Sequence, residues 1–181
     1  MAATVNVKEW NAPTATPVKT NKDGGTVRFK AADNATVDTA NPIVIPGSGQ
    51  EYSFEKWLRF AATGTFSYLE NLKFYTDGSS PWTALNCVLW AYNYTGAFLA
   101  PGEPSNSNDP PLVPVSHGTP VSAVNAYSTY PSADTAMAMS TGTITATGDI
   151  GEFCLLILEV NPGATPGVNS GENVTFQYDE V

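Results

Sequence analysis

Residues 153–158 place six apolar side chains in a row, Phe-Cys-Leu-Leu-Ile-Leu, between Glu152 and Glu159, with Val160 following. Gly148-Asp149 precedes the run and Asn161-Pro162-Gly163 closes it. A short, continuous apolar stretch between turn residues reads as a central strand buried on both faces. Few folds accommodate such a strand unless the rest of the chain is also strand-forming.

The rest of the chain carries that pattern. In the Glu51–Ala62 stretch, Tyr52, Phe54, Leu58, Phe60 and Ala62 share one parity, against Glu55, Trp57 and Arg59. Period two predicts a half-buried strand. Phe66, Leu72, Phe74 and Tyr75 lead to an Asp77-Gly78 turn, and Val88, Trp90, Tyr92 and Tyr94 form an aromatic alternation suited to cross-strand pairing. Further strands are expected at Val27–Phe29, Ile43–Ile45, Thr143–Thr147 and Val174–Tyr178, and Ala133–Met139 reads as a strand or a short helix, with strand favoured. Residues 121–127 read as strand or helix. Gly, Pro, Asn and Asp mark the turns between these runs.

The pattern predicts an all-β fold of about nine strands, a β-sandwich of jelly-roll or Greek-key type. Residues 1–21 read as an extended N-terminal arm with a short strand, because Pro13 and Pro17 exclude helix. Residues 22–181 form the single sandwich domain, with a long proline-rich loop at 102–120.

Composition narrows the function. Eight Lys and Arg against 17 Asp and Glu give a formal charge of −9, which opposes binding to nucleic acid and to anionic membranes. No run reaches the ~18 apolar residues of a membrane helix. The opening MAATVNVKEW lacks a basic segment followed by an apolar one, so synthesis in the cytoplasm is expected.

Catalytic chemistry finds little footing. His117 is the single histidine and sits in a Pro-flanked loop, without a GxSxG motif anywhere. Cys87 and Cys154 lie in apolar runs and read as buried free thiols, although spacing leaves a disulfide open. Asp149, Glu152 and Glu159 flank the central strand, and Glu51 and Glu55 lead another; these read as solvated strand-end charges. Glu152 and Glu159 point to opposite faces of a regular strand and would not form a dyad. Asp23, Asp77, Asp109 and Asp149 read as turn residues rather than calcium ligands. No cofactor, metal or catalytic residue is expected.

Binding is the better prospect. Trp10, Trp82, Tyr127 and Tyr130 fall in loops or near chain ends, where aromatic rings serve as core, as protein-interface anchors or as sugar platforms. Val5, Val7 and Trp10 belong to the arm, which would suit strand addition to a partner's sheet edge.

The stretch Glu51–Gly78, with its YSFEKWLRF and NLKFY strands, and the ending GENVTFQYDEV resemble accessory structural proteins of tailed bacteriophage particles. The resemblance covers about the last two-thirds of the chain. It implies a non-enzymatic virion protein, made in the host cytoplasm, that decorates a capsid as a cement protein or builds the neck or tail. Its partners would be the major capsid protein or other virion proteins. Such proteins form closed homo-oligomers, so a homo-oligomer is expected, with a trimer among the closed forms. The alternative from another class is a carbohydrate-binding β-sandwich module.

Overall fold

The structure, a computed structural model, describes residues 2–36, 39–104, 109–116, 121–167 and 171–181. His117 and part of the 102–120 loop lie outside the described residues. In chain order the strands are β1 (Ala3–Asn11), β2 (Val18–Asn21), β3 (Glu51–Tyr52), β4 (Lys56–Gly64), β5 (Leu69–Thr76) and β6 (Cys87–Tyr94). They continue with β7 (Leu112–Val113), β8 (Val121–Ser122), β9 (Val124–Asn125), β10 (Met137–Ala138), β11 (Gly148–Val160) and β12 (Val174–Glu180). Helical structure among the described residues is limited to single turns at Pro81–Leu85, Ala126–Thr129 (α1) and Ala133–Thr135.

The large sheet runs β2-β1-β4-β11-β6-β9, with β3 also paired to β11. A smaller sheet runs β10-β5-β12, and β7 pairs with β8. All pairs are antiparallel, in a sandwich-like all-β arrangement. The apolar run is the central strand it predicts: β4 flanks β11 on one side and β6 on the other.

Alternation along β11 feeds two cores. Cys154 and Leu156 join Leu58, Phe60, Leu89 and Phe74 between the two sheets. Phe153, Leu155 and Ile157 point the other way, into an aromatic cluster with Trp10, Trp57 and Phe98. Phe98, Val113 of the two-stranded β7–β8 sheet, and Ala123 between β8 and β9 supply its described cover. Each large side chain buried this way contributes roughly 1.5–3 kcal/mol.

Gly151 explains a break in the β11 register between Ile150 and Cys154. It takes a φ of 70°, and a Cβ there would stand 2.6 Å from the Met139 carbonyl oxygen. Without that Cβ, the Glu152 amide donates to the Met139 carbonyl at 2.7 Å and ties β11 to the chain just beyond β10.

Several expectations are revised. Residues 3–11 do not project as an arm. β1 pairs with β4 from Ala3↔Gly64 to Trp10↔Trp57 and with β2 on its other side. Alternating Val5 and Val7 pack on the inter-sheet core, which keeps the strand in the sheet. The predicted Glu51–Ala62 strand is interrupted. The Ser53, Phe54 and Glu55 amides donate to the carbonyls of Leu158, Lys30 and Gly102, three different neighbours. Val27–Phe29 and Ile43–Ile45 join no ladder, and the Thr143–Thr147 stretch contributes only a bridge from Ile144 to Leu69. Strand propensity needs a neighbouring edge to become a strand, and these segments lack one. The 121–127 stretch resolves into β8, β9 and the start of α1, whose N-cap Asn125 accepts from the Tyr127 and Ser128 amides.

Candidate functional site

The two sheets do not close on each other everywhere. A cavity of about 1070 Å³ lies between them, at the upper end of the usual range for ligand pockets. Leu58, Phe60, Leu89 and Leu156 line it from the large sheet, and Phe176 and Tyr178 line it from β12. The extended segment Thr26–Lys30 and the Ile43–Ile45 segment complete the lining. Cys87 also reaches the cavity; it and Cys154 are buried free thiols. Burial pushes the Cys154 thiol well up from its ordinary range, which keeps it protonated and unreactive.

A cluster of buried charges holds one wall of this cavity. Glu9 and Lys56 are fully buried, and Lys30 is buried at 4% exposure. Lys56 Nζ lies 3.4 Å from Glu9 Oε1, and Lys22 Nζ lies 3.0 Å from Glu9 Oε2. The second contact is ionic in distance but lacks hydrogen-bond geometry at Oε2. Burial lowers the Lys56 ammonium from its ordinary value, and Glu9 opposes that effect. The lysines then donate onward to carbonyl oxygens: Lys22 to Thr26, Lys30 to Thr36, and Lys56 to Ala32 and Asn34. An irregular segment without a ladder is thereby fastened to the sheet by side chains.

The sign of this cluster was legible in the strand parity. Val5, Val7 and Glu9 alternate along β1, and Lys56, Leu58, Phe60 and Ala62 alternate along β4. A charge at an inward position must be paired, and neighbouring strands place opposite charges there.

Two other carboxylates correct the reading of solvated strand-end charges. Glu159, 2% exposed, accepts from Trp90 Nε1 at 2.7 Å and from Asn161 Nδ2 at 2.6 Å. Glu55 is fully buried and accepts from the Val115 amide at 2.6 Å, Trp57 Nε1 at 3.0 Å and the Gly102 amide at 3.3 Å. It holds Gly102 and Val115 beside Trp57 of the aromatic cluster. Glu152 accepts from Asn93 Nδ2, and Asp149 pairs with Lys19, so the carboxylates around β11 serve separate partners.

Burial pushes the Glu55 carboxyl from 4.5 up to about 7, outweighing its three hydrogen bonds. The folded chain therefore binds this proton more tightly than the unfolded chain. Stability is expected to fall as pH rises from 4.5 through 7, by roughly 3 kcal/mol from this group. Urea unfolding at pH 5 and pH 8 checks the sign. Glu55→Gln should flatten the difference, leaving the smaller contributions of Glu103 and Glu172, which burial also raises. Equal slopes in the two proteins would remove Glu55 from the account.

The aromatic and arm residues singled out from sequence are mostly internal. Val7 at 8%, Trp10 at 7% and Tyr127 at 6% exposure are buried. Trp10 stacks edge-on to Phe153, with Lys19 Nζ 3.9 Å from its ring centroid. Tyr127 packs in the inter-sheet core and donates to Glu172. Val5, Trp82 and Tyr130 are half-buried against the same core, Trp82 edge-on to Phe29 and Tyr130 to Phe74. Rings turned inward leave little free face for a sugar, so the sugar-platform reading gains no support from their placement.

The feature that sequence reading missed is the free edge beside the cavity. β12 pairs only with β5, and among the described residues its other edge has no neighbouring strand. Val174, Phe176 and Tyr178 point toward the cavity side and pack on the inter-sheet core. The fold and site together define a sandwich-like all-β domain with an open cavity of mixed apolar and polar lining and an open strand edge. No family model, curated protein or solved structure matches the chain significantly.

Proposed function

We propose that this chain is a non-enzymatic structural component of a tailed-phage particle, foremost a capsid decoration protein acting through protein–protein contacts. A neck or tail component is the second position for the same kind of protein. The observation that carries the reading is where the resembling segments fall. Glu51–Gly78 supplies β3, β4 and β5, which span both sheets, and the ending supplies β12, the open edge. The likeness therefore rests on the framework of the fold and on its exposed pairing edge. The wiring, with β11 entering between β4 and β6, supports a Greek-key or jelly-roll variant of the sandwich. A closed homo-oligomer belongs to this proposal, and the partners are the major capsid protein or its neighbours.

Deleting residues 1–20 is not a clean test, because it removes β1 and most of β2, the two strands at one end of the large sheet. Antibody against the intact chain, used on density-gradient fractions from a culture expressing its gene in place, is the better one. The chain should co-band with tailed particles in stoichiometric amounts, and gold labelling should decorate the head. Labelling confined to neck or tail would move the protein there. Recovery only in the particle-free fraction would overturn the reading.

A further inference from the structure

We propose that the free edge of β12 and the cavity beneath it form a slot for one extended strand of another protein. That strand would carry apolar side chains at alternate positions and a carboxylate that meets Arg28. The partner's place in a phage particle rests on the function proposed above; the slot itself rests on the geometry.

Three observations converge on it. First, β12 has seven residues and a regular register with β5 from Val174 to Gln177. Natural sheets usually blunt such edges with bulges, charges or covering segments. Here a bulge after Gln177 and the acidic Asp179 and Glu180 blunt only the C-terminal half. The first half remains a template for pairing, and strand addition there would draw its affinity from backbone hydrogen bonds.

Second, the space beside that edge is lined by half-buried apolar side chains, Val27, Phe29, Ile43, Phe176 and Tyr178, with polar groups among them. Side chains project alternately from a strand, so an added strand would send every second residue into that space. Val27–Phe29, which also lines the cavity, joins no ladder among the described residues.

Third, Arg28 stands in the cavity lining without an ion pair among the described residues, and its buried Nε has no hydrogen-bond partner. The other rim cations are engaged: Lys22 with Glu9, and Lys30 with the Thr36 carbonyl. Asp23 and Glu172 also line the cavity, so the recognition is local to Arg28 rather than a general positive patch. A buried guanidinium nitrogen without a partner, in a cavity lined partly by apolar side chains, suits an anion that arrives with its own apolar flanks.

The test is an affinity selection on the intact chain. The probe is a pooled decapeptide library with Val, Ile, Leu or Phe at alternate positions and one Asp or Glu between them. A Gly/Ser pool of equal charge is the control, and sodium oleate is a competitor. The alternating pool should be retained, quench the fluorescence of Trp82 at the cavity, and lose at least tenfold in affinity with Arg28→Glu. The melting temperature of Arg28→Glu should stay at the wild-type value, which separates lost binding from lost folding. Equal retention of the two pools, or retention unchanged by Arg28→Glu, would overturn the slot. Oleate binding with no peptide retained would assign the cavity to a lipid-like anion instead. Self-association abolished by Arg28→Glu would make the occupant a second copy and refute the separate partner. None of these outcomes bears on whether the chain co-bands with particles.

Discussion

Replacing Glu9 with alanine is expected to cost about 3–5 kcal/mol of stability, because it strips the counter-charge from buried lysines. Lys56 is fully buried and Lys22 retains 6% side-chain exposure, so water cannot substitute for the carboxylate. The Asn11 side chain, which donates to Glu9 at 3.3 Å, loses one of its acceptors as well. The damage should be local before it is global. Lys22 and Lys56 hold carbonyls at Thr26, Ala32 and Asn34, so hydrogen exchange should quicken first over residues 26–36. Chemical denaturation gives the magnitude. The double replacement Glu9→Leu with Lys56→Met should recover much of the loss, since well-packed apolar pairs can replace buried ion pairs at little cost. Lys22 keeps carbonyl acceptors in that variant. A single Glu9→Ala variant within 1 kcal/mol of wild type would show that the cluster is not a stabilising unit.

Trp57→Ala should have a comparable effect, about 3–5 kcal/mol, by a different route. The indole is fully buried and makes edge contacts with Tyr94, Phe98 and Phe153 at centroid distances of 5.2–5.3 Å. Its removal opens a cavity in the outer layer, which among the described residues is covered by Phe98, the short β7–β8 sheet and Ala123. It also removes one of three donors from the buried Glu55 carboxylate. Trp57→Phe separates the two contributions, keeping ring packing while deleting the N–H. The phenylalanine variant should lose roughly 1.5–3 kcal/mol through the charged hydrogen bond, and less at pH 5, where Glu55 holds its proton. A loss below 1.5 kcal/mol for the alanine variant would mean that the outer layer tolerates repacking.

Much of the framework is readable in the chain. The apolar run at 153–158 announces a doubly buried strand, and the alternations at Tyr52–Ala62, Val88–Tyr94 and Val174–Tyr178 announce its companions. Such patterns are local, because side-chain direction in a strand alternates whatever the partner is. Ala133–Met139 divides into a helical turn, Ala133–Thr135, and the two-residue β10, for the same reason that Val27–Phe29 remains unpaired. Pairing depends on which edge is near, and that is a property of the whole fold.

The candidate site was much less legible. Trp10 and Tyr127 look like surface anchors because they sit beside loop residues, yet Trp10 packs into the outer aromatic cluster and Tyr127 into the inter-sheet core. Glu55 and Glu159 look like solvated charges because nothing local reveals that indole N–H groups will meet them. The sequence by itself determined the strand pattern, the acidic balance and the central position of residues 152–160, since these follow from periodicity and residue type. Only the tertiary structure decided that lysines from different segments share Glu9, that chain between β6 and β9 roofs the outer aromatic layer, and that β12 has a free edge over a cavity. Those features depend on distances between residues far apart in the chain, and burial free energy depends on what surrounds a group rather than on its neighbours in sequence.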